Sequence, residues 1–266
     1  MKAVLVSVLV AVMIWAALAW LAHRSAFFPM RFPEGWWQVQ QELRAEDIWL
    51  TAGDGVKLHC WWVGDRNAAV ATLFLHGNAG NVTHRGAALR EIGTAGSAVL
   101  LVDYRGYGKS EGSPSEAGLY RDAEAGYDWL LAKGFSENRI IIHGESLGTA
   151  VAVELASRKH CRGVVLEAPF SSARDVAGKV FPVVGPLVMW GFNSMARLHA
   201  LRAPLLVIHG DADEVIDIEL GQKLFRAARE PKRMWVIAGG GHNNIVEAGG
   251  AEYARRLREF YAWASM

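Results

Sequence analysis

Cysteine, net charge and metal-ligand motifs are all scarce in this sequence, and each scarcity removes a class of explanation. Cys60 and Cys161 are the only cysteines in 266 residues, too few for a disulfide framework, and neither sits in a CxxC or other metal-ligand spacing. There is no HExxH pair, so the sequence offers no zinc-hydrolase motif. Basic and acidic residues nearly cancel, 28 against 27, leaving a formal charge of +1. A chain without a field of one sign has nothing to hold a polyanion, which argues against a nucleic-acid partner. Internal repeats and low-complexity tracts are absent as well. What the sequence does have is apolar mass: 52% hydrophobic residues against 21% charged, enough for one sizeable core in one catalytic domain. Several of its 11 tryptophans fall early, among them Trp36, Trp37, Trp61 and Trp62, where packing in that core is favoured over a membrane interface.

The longest apolar run opens the chain. From Ala3 to Ala22 there is no charged residue, and a helix of that length rises about 30 Å, the thickness of a bilayer's hydrocarbon layer. Lys2 precedes the run; His23, Arg24 and Arg31 follow it, so positive charge on both sides leaves the orientation open. Ala17-Leu18-Ala19 has the small-x-small spacing of a signal-peptide cleavage site, but the run exceeds the usual signal core. The expectation is a single-pass membrane anchor over residues 1–24, with contact to lipid through 3–22, and a catalytic domain over 25–266.

That domain begins with a hairpin signal: Asp47 to Thr51 and Val56 to Val63 flank Ala52-Gly53-Asp54-Gly55, predicting antiparallel edge strands. From residue 70 onward, short apolar runs (Val70 to Leu75, Ala98 to Val102, Arg139 to His143, Gly163 to Leu166, Pro204 to Ile208, Lys232 to Ile237) alternate with helix-length segments. Helices are expected at Val82 to Ile92, Ser115 to Lys133, Leu147 to Arg158, Ile218 to Ala228 and Gly249 to Ala264. The alternation predicts an α/β fold with a mostly parallel sheet covered by helices on both faces. Residues 171–200 break the pattern, with Pro182 and Pro186 set among Phe181, Val183, Val184, Leu187, Val188, Met189, Trp190 and Phe192. This stretch is read as a small apolar cap over the site.

Ile140-Ile141-Ile142-His143 runs into Gly144-Glu145-Ser146-Leu147-Gly148 and then a helical segment, the strand–turn–helix setting in which G-x-S-x-G forms a nucleophile elbow. The sharp turn strains the serine and leaves no room for side chains on either side, hence the glycines. His76-Gly77-Asn78-Ala79-Gly80-Asn81 follows the strand Val70 to Leu75, where an oxyanion loop belongs. The Asn78 and Leu147 backbone N–H groups are its expected donors. His76 is read as structural, and Asn81 as a helix cap rather than the acceptor of the Asn81-Val82-Thr83 sequon. A base and an acid should follow Ser146 at later strand ends. His242 lies in the Gly-rich loop after Met234 to Ile237 and is the base; Asp211 and Asp213, both after Leu205 to Ile208, remain equal candidates for the acid. Asp103 to Ser110 ends like a phosphate-binding loop, but the required first glycine is Asp103. A tight turn with Asp103 and Arg105 paired locally is the expectation there.

Taken as a set, His76 to Asn81, Asp103 to Ser110, Gly144 to Gly148, His209-Gly210-Asp211-Ala212-Asp213-Glu214-Val215-Ile216 and Gly241-His242-Asn243 resemble the α/β-hydrolase-domain serine hydrolases. The likeness runs from about Arg44 to the C-terminus, and its nearest branch carries a single N-terminal span. The resemblance implies the α/β-hydrolase fold, Asp213 as the acid of the triad and His242 as its base, without metal or cofactor. Protein depalmitoylases belong to that branch, but their Cys-rich N-terminus is replaced here by Ala3 to Ala22. The expected activity is hydrolysis of an ester or thioester of a small or lipid-like acyl substrate through an acyl-enzyme. Two other readings stand beside it: a peptidase of the prolyl-oligopeptidase type, whose propeller 266 residues cannot hold, and a catalytically idle hydrolase-fold domain that binds a partner at the membrane. Oligomeric state is encoded in none of these motifs.

Overall fold

The apolar runs become the strands of one twisted sheet in the computed structural model, which describes residues 2–265. A long helix, α1 (Lys2–Arg24), is followed by a two-residue strand β1 (Phe28–Pro29) and a short helix α2 (Val39–Leu43). The hairpin is β2 (Glu46–Thr51) and β3 (Lys57–Val63). Then come β4 (Val70–Leu75), the short β5 (Ala79–Gly80), a 3-10 turn over Val82–Arg85 that runs into α3 (Gly86–Thr94), β6 (Ser97–Val102), α4 (Glu116–Ala132), β7 (Ile140–Glu145), α5 (Leu147–Ala156) and β8 (Gly163–Glu167). Three short helices, α6 (Ala173–Val180), α7 (Gly185–Val188) and α8 (Ser194–Arg197), occupy the stretch that broke the alternation. The chain ends with β9 (Leu205–Gly210), α9 (Ile218–Ala227), β10 (Lys232–Ile237), α10 (Ile245–Gly249) and α11 (Ala251–Trp263).

Eight strands lie in the order β10-β9-β8-β7-β4-β6-β3-β2, parallel from β10 to β6 and antiparallel through β3 and β2 at the edge. The fold is the α/β-hydrolase fold. Every residue of β4 and β6 is buried, as a parallel strand with helices on both faces requires. Successive residues serve opposite faces. Leu73, Leu100 and Ile142 join Leu119, Tyr127 and Leu130 of α4 in one core; Phe74, Leu101 and Ile141 join Leu89 and Ile92 of α3 and Tyr253, Leu257 and Phe260 of α11 in the other. All ten residues of α5 are buried; apart from Thr149 and Glu154, which is paired with Arg158 at 2.8 Å, they are apolar or glycine, as a helix enclosed on all sides requires. Strand order reverses at β4, which lies between the later strands β6 and β7. In open α/β sheets a crevice opens beyond the carboxyl ends of the strands at such a switch point.

Three sequence expectations change in the folded chain. The helix foreseen from Val82 to Ile92 is split, because Asn81 caps a 3-10 turn before α3 begins at Gly86. Among the early tryptophans Trp61 and Trp62 are buried, whereas Trp36 is exposed. Arg105 does not pair with Asp103. Its guanidinium reaches Asp122 on α4 and Asp54 in the β2–β3 turn, each at 2.7 Å, while Asp103 Oδ1 accepts the Val82 N–H at 3.1 Å. Arg105 thus ties the edge hairpin to α4, and Asp122 is fully buried beneath it.

Burial raises the Asp122 carboxyl, and the hydrogen bonds and charge of Arg105 only partly offset this. Arg105→Met keeps the apolar stem but strands that carboxylate, which should destabilise the protein by about 3–5 kcal/mol. An acid whose folded pKa is raised loses stability as pH rises through that pKa. The deficit of Arg105→Met, measured by urea unfolding, is therefore expected to be largest at neutral pH and to shrink on acidification.

Candidate active site

Four loops at the carboxyl ends of β4, β7, β9 and β10 converge over the switch point. The first contribution is backbone strain. Ser146, between β7 and α5, has φ 50° and ψ −115°, a conformation that L-residues avoid and that persists only when the surroundings enforce it. The enforcing contacts are close. A Cβ on Gly148 would lie 1.9 Å from the Leu75 carbonyl oxygen, and one on Gly144 would lie 2.4 Å from that of Gly148. Only glycine fits at either place, so the turn presses α5 against the end of β4. Ser146 is left 8% exposed at the start of α5, and Leu147, as the first helical residue, has an N–H with no partner inside the helix.

Asn78 follows the end of β4, and its loop is held on several sides. Its carbonyl accepts the Tyr107 hydroxyl at 2.8 Å and the Phe28 N–H at 3.0 Å. Its side-chain amide donates to the Ala26 carbonyl at 3.3 Å. The Met30 N–H donates to the Gly80 carbonyl at 3.0 Å, completing a parallel pairing of β1 with β5. Asn81, buried, donates to the carbonyls of Met30 and Glu34, both at 3.0 Å, and accepts the Thr83 N–H as the expected cap. His76 is buried too, with Nδ1 on the Gly77 carbonyl at 2.7 Å and Nε2 facing Asp103 at 3.4 Å. The segment that leaves α1 is thus part of the scaffold of the loop.

Asp213, His242 and Ser146 come together in a row. His242 Nε2 is 3.1 Å from Ser146 Oγ, and His242 Nδ1 is 2.9 Å from Asp213 Oδ2. The structure therefore brings Asp213 to the histidine. Asp211 instead accepts the Gly239 N–H. Burial pushes the Asp213 carboxyl up, but hydrogen bonds from His209 and His242, the Ile216 N–H and the positive field of His242 hold it well below the usual carboxylate range. An ionised carboxylate so placed is suited to orient an imidazole. The loop bearing His242 is pinned by Glu214, which accepts the His242 N–H at 3.2 Å, and by Asn244, which accepts that of Gly241 at 2.7 Å.

Two neighbours of the serine escaped the sequence reading. Arg85 pairs with Glu145, the residue before Ser146, at 2.7 Å. Both line a cavity of about 550 Å³ that His242 also borders. A second cavity, about 570 Å³, opens where α1 meets the 171–200 segment, with Trp20, Phe27, Met189, Trp190 and Phe192 on its walls. Arg85 carried no signal because its partner lies sixty residues away in the chain. Glu145 was hidden as the variable position of the pentapeptide.

Comparison with known proteins bears on the family and the fold. The family model described as serine aminopeptidase, S33, matches residues 66–196 and 187–249. The chain is 36% identical over 232 residues to the alpha/beta hydrolase domain-containing protein 17C of Homo sapiens, covering 85% of this chain and 68% of that one. It is also 36% identical over 219 residues to an uncharacterized protein of Mycobacterium tuberculosis, covering 80% and 78%. Among solved structures, an esterase of Pyrococcus furiosus superimposes with a TM-score of 0.74 at 23% identity, over 90% of this chain and 98% of that one. An alpha-beta hydrolase of Vibrio vulnificus gives 0.70 at 24%, over 83% and 82%. These two likenesses are of fold.

The hydrogen bonds from residues 26–30 to the Asn78–Asn81 loop should be visible in exchange. Compared with a chain starting at residue 25, one starting at residue 31 is expected to exchange the amides of residues 78–81 faster, while those of the buried strands β4 and β7 keep their protection. Hydrogen-exchange mass spectrometry compares the two directly.

Proposed function

The chain belongs to the hydrolase family described as serine aminopeptidase, S33, on the α/β-hydrolase fold, and from that premise we propose that it is a serine hydrolase of carboxylic esters or thioesters. Ser146 is the nucleophile, His242 the general base and Asp213 the acid that orients it. The Asn78 and Leu147 amides receive the oxyanion. The observation that carries the reading is the relay from Asp213 Oδ2 to His242 to Ser146 Oγ, at 2.9 Å and 3.1 Å, with the serine in a strained turn.

In this mechanism Ser146 Oγ attacks the acyl carbonyl as His242 Nε2 takes its proton. The negative charge that develops on the carbonyl oxygen is met by two fixed N–H donors, whose loss one at a time typically costs about a hundredfold to a thousandfold in rate. His242 returns the proton to the departing alkoxide or thiolate, leaving Ser146 acylated. Water, deprotonated by the same imidazole, then releases the acid. Asp213 stays ionised throughout and stabilises the imidazolium.

An acyl substrate is favoured over a peptide by the surroundings of the site. The cavity between α1 and the 171–200 segment carries Trp20, Phe27, Trp190 and Phe192 on its walls beside Arg24, Arg31 and Glu116; it adjoins the Asn78 loop through Ala26, whose carbonyl accepts the Asn78 side-chain amide, and each methylene of an acyl chain buried against those rings would gain roughly 0.8 kcal/mol. Glu145, the carboxylate nearest the serine in sequence, is neutralised by Arg85 and is poorly placed to recognise a free amino terminus. We further propose that α1, whose residues Val4–Arg24 are long and apolar enough to cross a membrane, anchors the hydrolase in a bilayer as a single span. The fused cap is the 171–200 segment.

A fluorophosphonate probe should label the protein at Ser146 and leave Ser146→Ala unlabelled. With p-nitrophenyl esters from acetate to palmitate, kcat/KM is expected to pass through an optimum in chain length. Asp213→Asn should lower kcat by roughly four orders of magnitude through the wrong imidazole tautomer, and Asp211→Asn by a small fraction of that. No labelling of the folded wild-type protein would sink this reading.

A further inference from the structure

From Val180 to Trp190 the chain carries no charged residue, and folding leaves its large side chains outside. Phe181 is 66% exposed, Val183 78% and Leu187 59%. A contiguous apolar patch of this kind marks a surface that meets something other than water.

What it meets is indicated by its neighbour. Trp15 of α1 donates its indole N–H to the Leu187 carbonyl at 2.9 Å, and its ring stacks on Trp190 with centroids 6.0 Å apart. His23 lies against the same Trp190 at 4.1 Å. The patch is therefore continuous with the apolar surface of α1, and the medium that surrounds one surrounds the other. Depth follows from helix geometry. Trp15 precedes Arg24 by nine residues, about 14 Å along the axis, so with Arg24 at the boundary of a ~30 Å hydrocarbon layer Leu187 sits near mid-depth.

Part of the segment's backbone is satisfied within the protein, as a hydrocarbon environment favours. Pro182 and Pro186 have no N–H to satisfy. The N–H groups of Phe181, Gly185, Leu187 and Met189 donate to the carbonyls of Ala177, Phe181, Val184 and Gly185, and the Leu187 carbonyl is the one Trp15 covers. Charge resumes at once on the domain side, where Lys179 pairs with Asp217 and Glu219 at 2.8 and 2.7 Å.

We propose that residues 180–190 are a membrane-inserted segment, embedded beside α1 in the acyl-chain region of the leaflet next to the catalytic domain, so that the partner of the cap is a phospholipid leaflet. The proposal rests on the reading of α1 as a membrane span and deepens it. The enzyme is held by two elements rather than one, and the cavity between them opens where lipid acyl chains are.

The test uses the full chain in phosphatidylcholine nanodiscs, with an environment-sensitive fluorophore on a single introduced cysteine and nitroxide groups on the lipid acyl chains as quenchers. The native thiols do not compete: Cys60 is buried, and burial pushes the Cys161 thiol up to about 12, so neither offers much thiolate. Val183→Cys reports the cap and Val8→Cys reports α1. Ser265→Cys reports the opposite end of the parallel strands, where the end of α11 packs on Gly163. Quenching roughly threefold stronger at 183 and at 8 than at 265 is expected for hydrocarbon-buried positions. Quenching at 8 with none at 183 beyond that at 265 overturns the inserted cap and leaves the anchor standing. Absence of quenching at both overturns cap and anchor together. A blue-shifted, unquenched label at 183 assigns the patch to a second copy of the chain and also overturns the proposal.

Discussion

A close approach between the start of α5 and the end of β4 governs what is built around it. Gly148 lies against the Leu75 and His76 carbonyls so tightly that a methyl group has no place. Contact at that distance removes the slack between two strands' ends. Ser146 is thereby held in its strained conformation, and the loop that begins at His76 is fixed relative to it. The positions of Asn78 and Leu147 are consequences of one packing constraint rather than of two separate ones. Strain of this sort costs of order 1–3 kcal/mol, which the burial of α5, of neighbouring β4 and of β7 up to Gly144 is well able to offset.

Most of the scaffold was legible in the sequence because buried parallel strands are written as uninterrupted apolar runs. The order in which Ser146, the aspartates and His242 follow such runs was legible for the same reason. The choice between Asp211 and Asp213 was not: two residues apart after one strand, they are separated only by the turn that sends Asp213 toward His209 and His242 and leaves Asp211 on Gly239. Arg105 misled because its partners, Asp54 and Asp122, lie fifty-one and seventeen residues away, and a contact of that span leaves no local pattern. The 171–200 stretch shows the limit of hydropathy. Its composition announces burial, but nothing in its periodicity says whether protein or some other phase does the burying.

Electrostatics around the relay are divided between the two sides of the histidine. On one side the Asp213 side chain is shielded from solvent, and hydrogen bonds from His209, His242 and the Ile216 N–H hold its carboxyl well below the usual carboxylate range. On the serine side, Glu145 is held by Arg85 at 2.7 Å and so is not a free carboxylate.

The pairing of β1 with β5 has a mechanical meaning. Three residues separate Arg24 at the end of α1 from Phe28, whose N–H holds the Asn78 carbonyl. A connection so short is stiff, and it places the loop in series with the first helix, like a gauge wired to a lever. With α1 in a bilayer, a change in hydrocarbon thickness is absorbed by helix tilt, and the far end of that lever is the peptide beside the serine. If α1 is the span proposed above, the bilayer and the loop beside Ser146 are joined through a handful of backbone hydrogen bonds.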